Sequence, residues 1–426
     1  MQFPRLLLVR QKFPDRQIPD VAAEVRRQLA AADFAARLKP GDRVAIGVGS
    51  RGIHNIATIV RSVVRYWKDA GIEPFLFPAM GSHGAASAAG QADVLAHYGI
   101  TESGAGCPIV SQLEVVSLGK TADGIEAFMD RKAYESSGVM LVGRVKWHTD
   151  FAGKIESGLF KMMAIGLGKF AGAQRYHAYA YRLGLEHVIR SVGRQVLASG
   201  KILGGLAILE DAHHHTAKLD AVPVEEMELR EEANLELVKS WMARLPTDAD
   251  ILILDEIGKN ISGAGMDSKV VNRGVNGEYN PWPGPRFERI FVRDLSELTY
   301  NSAVGMGMAD VVTDRLVRRI AWEPTWINSL TANTPAAIRT PIHFPTDREA
   351  IERITPTVGK IDLRKVTYGW IRNTMELDRI ALSENLRPEI EKNPAVEIES
   401  TIEFEFDGQN NLISPFAVVA DIAGAH

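Results

Sequence analysis

Cysteine occurs once in 426 residues, at Cys107, so the chain can form no intramolecular disulfide and no cysteine-built zinc cage. No apolar run approaches the roughly 20 residues that a membrane-spanning helix needs. The early stretch Leu6–Val9 stops at Arg10, too short for a signal-peptide core, and a soluble, cytoplasmic protein that binds no membrane is expected. A surplus of either charge is missing too. Lys and Arg number 49 against 53 Asp and Glu, a net charge of −4, which lacks the basic excess of a nucleic-acid binder. Internal repeats and low-complexity tracts are absent.

What remains is an ordinary globular composition, 46% hydrophobic and 24% charged, long enough for two or three domains. Apolar runs at Arg43–Val48, Pro74–Pro78, Gly138–Val145, Ile202–Leu209 and Ile251–Asp255 read as strands. Helical periodicity at Asn55–Ala70, Gln91–Tyr98, His177–Ala198 and Val224–Leu245 separates them. Such alternation predicts an α/β protein with parallel or mixed sheets and helices on both faces. The Gly- and Pro-rich stretch Asn272–Pro285 reads as a linker or exposed loop. A second α/β pattern follows, with a strand near Arg289–Leu295 and helices near Tyr300–Asp314, Pro324–Ala332 and Asp347–Ile354. The tail Val396–Phe406 alternates like a strand with one wet face. Two domains are expected, 1–265 joined by the tail 380–426, and 275–379, with the active site in the cleft between them.

Three motifs could carry chemistry. Gly47-Val48-Gly49-Ser50-Arg51-Gly52 follows a strand and precedes a helix, a pattern in which backbone N–H groups receive a phosphate. Arg51 adds a charged anchor for phosphate or carboxylate, and Glu73 lies near the position of a ribose-binding acid. A glycine-rich turn without ligand gives the same pattern. In Gly81-Ser82-His83-Gly84, a histidine sits past a strand end, where α/β sheets build their active sites. Finally, Lys161 stands among Leu, Phe and Met, flanked by His148 and His177; an amine so placed is either a covered surface lysine or a desolvated nucleophile. His213-His214-His215 looks like a metal motif but reads as a solvated loop, because consecutive side chains diverge.

Together these motifs resemble the nickel-pincer nucleotide-dependent lactate racemase family. Ser50-Arg51 resembles its Thr/Ser-Arg motif, Gly81-Ser82-His83 its Gly-Thr-His loop, and His148, Lys161 and His177 its histidine–lysine–histidine series. His177 stands sixteen residues after Lys161, the family's own spacing. The resemblance implies a cofactor-binding N-terminal domain and a nickel-pincer nucleotide (pyridinium-3-thioamide-5-thiocarboxylic acid mononucleotide). That group would be joined covalently to Lys161, with Ni(II) ligated by His177 and contacts from Gly49, Ser50 and Arg51. It implies a racemase or epimerase that inverts C2 of a small 2-hydroxy acid by reversible, proton-coupled hydride transfer. His83 and His148 would be the two proton-transfer residues, and Arg51, Tyr300, Asn301 and Lys154 would bind substrate. Cofactor-synthesis proteins would be maturation partners, with homo-oligomerisation left open.

The chain departs from the family pattern in three places. The acid before the arginine is replaced at Val48–Gly49, three extra residues lie within Asp150–Gly158, and the second domain's substrate lysine falls near Val304. The added polar residues suit a larger polyhydroxy acid such as gluconate better than lactate, with malate- and hydroxyglutarate-like acids still open. Rival readings are an NAD-dependent 2-hydroxy acid dehydrogenase built on Gly47–Gly52, or a non-catalytic nucleotide or sugar-acid binding protein.

Overall fold

The computed structural model describes residues 3–49 and 52–416. Strand β1 (Leu6–Gln11) is followed by β2 (Arg43–Val48), β3 (Glu73–Pro78), β4 (Val115–Lys120), β5 (Glu126–Asp130), β6 (Gly138–Arg144), β7 (Ile202–Glu210) and β8 (Thr216–Pro223). The later strands are β9 (Ala249–Ile257), β10 (Phe287–Leu295), β11 (Val311–Thr313), β12 (Ile342–Phe344), β13 (Tyr368–Ile371), β14 (Arg379–Ser383) and β15 (Val396–Ile402). They belong to two compact units, one of residues 14–242 and one of residues 3–13 and 243–416.

The first unit is built on a five-stranded sheet in the order β3-β2-β6-β7-β8. Its first four strands are parallel, and β8 folds back antiparallel on β7. Alternation along the strands sends side chains to two separate cores. Ala45, Phe77, Val139 and Leu141 join Tyr176, Val192 and Leu235 on one face, while Val44, Ile46, Met140 and Val142 join Leu29, Val60 and Trp67 on the other. Each large aliphatic side chain buried this way contributes roughly 1.5–3 kcal/mol. The expected two-faced α/β layering is present. Capping sets the helix ends: Asp20 accepts from the Ala23 N–H at 2.8 Å, and Ser87 Oγ from the Gly90 N–H at 3.1 Å. The run expected as one helix over His177–Ala198 is two, Lys169–Leu183 and Leu185–Ala198. Gly184, at φ 78°, makes the break.

The second unit holds an eight-stranded sheet, β12-β11-β10-β9-β13-β14-β1-β15. This corrects the expected domain boundaries. β9 pairs with β10 and β13, so Ile251–Asp255 does not belong to the first sheet. The tail strands β14 and β15 flank β1, so 380–416 joins this unit rather than the first. Asn272–Pro285 is the exposed loop of the two expected alternatives and not a linker: Asn276, Glu278, Tyr279, Pro281, Pro283 and Gly284 are exposed, while Asn272 and Arg273 are buried and Arg273 bridges Tyr279 within the unit. The helix expected over Tyr300–Asp314 is replaced by short 3₁₀ turns and β11, whose Val311-Val312-Thr313 pairs in parallel with β10. β-branched residues at consecutive positions favour the strand.

Candidate active site

The carboxyl ends of the parallel strands gather the residues that carry chemistry. Gly49 follows β2, His83 lies five residues past the end of β3, and His148 four past the end of β6. β2 and β6 are neighbours whose chain connections leave in opposite directions, toward β3 and toward β7. Sheets of this kind form their ligand crevice at such a switch point.

The segment from Gly158 to Lys169 crosses this edge in close contact with its loops. A Cβ on Gly143 of β6 would collide with the Met162 sulfur, and one on Gly49 would lie 4.0 Å from the Met162 methyl. A Cβ on Gly81 would sit 2.9 Å from both Ala173 and Ile165. One on Gly166 would meet the Ala79 carbonyl at 2.8 Å. Glycine at 81 and 166 therefore lets the His83 loop lie against the chain that joins Lys161 to His177.

Lys161 ends the short helix Leu159–Lys161 and is half-buried. The Phe160 N–H donates to both carboxylate oxygens of Glu231 at 3.1 Å, fixing the turn from its N-terminal side. Burial pushes the Glu231 carboxyl up to about 8. After Lys161 the chain winds through one π-helical turn, Met162–Gly166, before helix Lys169–Leu183 begins. Such turns recur at functional sites. His177, half-buried, lies two turns along that helix. Burial drives its imidazole below the ordinary value, the Lys161 ammonium drives it further, and Asp150 opposes them. Lys161, His177 and Asp150 thus share one electrostatic neighbourhood.

Asp150 belongs to the loop that carries His148. The strands of the loop meet where Lys146 and Ser157 exchange backbone hydrogen bonds of 3.0 and 3.1 Å. Inside it, the fully buried Glu156 accepts from the His148 N–H at 2.5 Å and the Gly153 N–H at 3.1 Å, and Lys239 pairs with it at 2.9 Å. The His148 ring lies 4.6 Å from that of Phe151. Its Nδ1 accepts the Asp150 N–H at 3.1 Å, which leaves the proton of the neutral ring on Nε2.

His83, half-buried and in extended conformation, precedes a 3₁₀ turn at Gly84–Ala86. Its loop is held from beneath by Lys169, which belongs to none of the three sequence motifs. Lys169 is wholly buried in a left-handed backbone conformation, φ 54°. Its Nζ donates to the Pro78 carbonyl at 2.7 Å and to Gln91 Oε1 at 2.6 Å, and Gln91 Nε2 donates to the Gly81 carbonyl at 2.9 Å. Burial lowers the ammonium to about 8, against the pull of Asp130 at 3.9 Å. The sequence signal was slight: a cation inside Gly166-Leu167-Gly168-Lys169-Phe170, where paired glycines mark a close approach.

Ser50 and Arg51 lie outside the described residues. Lys154 is exposed, its N–H bound to Glu186 at 3.0 Å. Tyr300 and Asn301 sit in the second unit in consecutive left-handed conformations, Tyr300 being 83% exposed. Glu73 opens β3 and pairs with Arg43, so it lies at the amino edge of the sheet, six strand positions or roughly 20 Å from Gly49. It cannot serve as the ribose acid of a dinucleotide site, and the dehydrogenase reading loses that support.

No protein-family model matches the sequence, and neither does any curated protein. Among solved structures, the chain resembles the lactate racemase apoprotein of Thermoanaerobacterium thermosaccharolyticum, with a TM-score of 0.50 and 13% identity over 84% of this chain and 96% of that one. The two share a fold. The Streptomyces sp. SF2575 glycosyltransferase SsfS6, at a TM-score of 0.14 and 11% identity over 74% of this chain and 88% of that one, carries no argument. Among the described residues, no helix is long and apolar enough to cross a membrane.

Proposed function

We propose that the protein is an isomerase, a racemase or C2-epimerase of 2-hydroxy acids that works with a nickel-pincer nucleotide. The observation that carries this reading is the electrostatic coupling of Lys161 to His177 at the sheet edge where the His83 and His148 loops also end. The likeness to a lactate racemase fold supports it.

The residues present fit such a group. His177 is held toward its neutral form, the only form in which imidazole ligates a metal. Lys161 supplies an amine for covalent attachment, half-buried beside it, and Gly49 leaves the adjoining strand end open for a phosphate. When bound, the cofactor supplies a reversible acceptor for the hydride at C2, so the carbon passes through a planar 2-oxo acid without an α-carbanion.

The protein then has to hold the acid and move one proton. His148 presents Nε2–H and is poised to donate to the 2-oxo oxygen. His83, approaching from the β3 side, takes the hydroxyl proton of the opposite enantiomer, and the roles exchange in the reverse direction. Arg51 is assigned to the substrate carboxylate. A polyhydroxy acid such as gluconate is the preferred substrate, ahead of lactate-, malate- and hydroxyglutarate-like acids.

Production with and without cofactor-synthesis proteins, followed by intact mass, nickel content and chiral analysis of a 2-hydroxy acid panel, tests the reading. The expected result is a mass adduct on Lys161, one nickel per chain, and product of inverted C2 with no net redox change. An unmodified Lys161 under maturing conditions, or turnover that consumes NAD, overturns it.

A further inference from the structure

A second constellation stands at the turn between β7 and β8, independent of the Lys161–His177 pair. We infer that Asp15, Asp211 and His215 form a binding site for a divalent transition-metal ion of the Zn²⁺ class. One ligand atom from each, a carboxylate oxygen or an imidazole nitrogen, lies within 4.8 Å of the other two.

The backbone builds this arrangement before any ion arrives. Asp211 is buried, and its Oδ1 accepts the N–H groups of His213 and His215 at 2.9 and 3.0 Å, closing the turn. Its Oδ2 accepts the Arg16 N–H at 3.1 Å, which pins the neighbouring Asp15 to the same spot. The Ile18 N–H reaches the Thr216 carbonyl at 2.9 Å and continues the attachment. Each carboxylate keeps lone pairs to spare after these bonds.

Two observations point to a cation rather than a satisfied turn. His215 Nδ1 is shielded from solvent and has no hydrogen-bond partner among the described residues, yet it faces Asp15 Oδ1 at 3.8 Å, too far for a hydrogen bond. Nor does any Lys or Arg neutralise Asp15 or Asp211 among the described residues. The Arg16 guanidinium beside them is turned away over the Trp241 ring, 5.2 Å from its centre. An imidazole nitrogen without a hydrogen bond, beside two carboxylates that only backbone N–H groups meet, is a donor set for Zn²⁺, Mn²⁺ or Co²⁺; the imidazole disfavours Mg²⁺ and Ca²⁺. Bound metal would clip residues 15–18 to the β7–β8 turn.

The test is calorimetric titration of Zn²⁺ into the tag-free apoprotein, with stoichiometry checked by elemental analysis after dialysis. One Zn²⁺ per chain should bind at this site. Asp15→Asn and His215→Ala should each raise its Kd at least tenfold, and His177→Ala should leave it unchanged. Asp15 is 70% exposed, so Asp15→Asn decides the matter even if His215→Ala misfolds. Affinity unaltered by Asp15→Asn, affinity lost in His177→Ala instead, tighter binding of Mg²⁺ than Zn²⁺, or no saturable binding overturns the assignment. None of these results depends on the racemase reading.

Discussion

Lys169 Nζ and Gln91 Oε1 lie 2.6 Å apart inside the first unit, joining the start of the helix that carries His177 to the helix that follows His83. Because Gln91 also donates to the Gly81 carbonyl, the buried charge of Lys169 anchors the loop that carries His83. Burying an amine is tolerable here because two acceptors and Asp130 meet it.

Lys169→Met should therefore do more than remove a charge. It leaves the Pro78 carbonyl and Gln91 Oε1 without their donor and the Asp130 carboxyl without its nearby cation, at a cost of about 2–4 kcal/mol in stability. Hydrogen exchange in 79–91 should quicken more than in β2 or β6. Uniform quickening across the sheet would mean that Lys169 supports the core generally and not the His83 loop.

The contrast between strands and buried charges explains what the sequence could reveal. β2 and β6 were legible because runs such as Val44-Ala45-Ile46 and Val139–Val142 are apolar at every position, as strands buried on both faces must be. Asp347–Ile354 was legible too, its N-cap Thr346 and apolar spacing agreeing. β4 and β5 were missed, since the five- and six-residue strands of a two-stranded ribbon, interrupted by Ser117, Gly119 and Lys120, carry too short an apolar pattern. For the site, strand-end position singled out His83, apolar neighbours singled out Lys161 between His148 and His177, and only the resembled family's spacing gave His177 a role. Lys169, Glu156 and Glu231 escaped because burial of a charge is decided by partners as distant in sequence as Gln91 or Phe160. Local pattern carries no trace of those.

Gly81 offers a steric test of the contact between the His83 loop and the Lys161–His177 segment. Gly81→Ala places a methyl 2.9 Å from Ala173 and Ile165, which should cost about 1–3 kcal/mol. Adding Ala173→Gly vacates half of that contact and should recover part of the loss. Denaturation of both single variants and the double variant measures it. Strictly additive losses would show that residues 81 and 173 do not touch.

The Glu156–Lys239 pair makes a separate prediction about the His148 loop. Lys239→Met takes its 2.9 Å cation from the fully buried Glu156 carboxylate, the acceptor for the His148 and Gly153 N–H groups, a loss of about 2–4 kcal/mol. Lys239→Met combined with Glu156→Gln removes the uncompensated charge and should be less damaging than Lys239→Met alone. Proteolysis within 148–157 reads out the same order, because loosening of that loop exposes it. If the double variant is the worse of the two, the pair is not what keeps the loop in place.

Glu231 gives the pH dependence of the turn that presents Lys161. Burial raises its carboxyl from the ordinary 4.5 to about 8, so between these values the unfolded chain ionises at this residue while the folded chain does not. The unfolded state binds fewer protons there, and stability must fall as pH rises. The contribution is complete below about pH 4.5 and gone above about pH 8. Glu231→Gln keeps an oxygen for the Phe160 N–H but cannot ionise, so it lacks this slope. Wild type should thus lose stability relative to Glu231→Gln by on the order of 3–4 kcal/mol between pH 5 and 8, measured as paired denaturation curves. A difference that stays constant across that interval would mean that Glu231 is ionised in the folded protein, and that a carboxylate, not a carboxylic acid, caps the Lys161 turn.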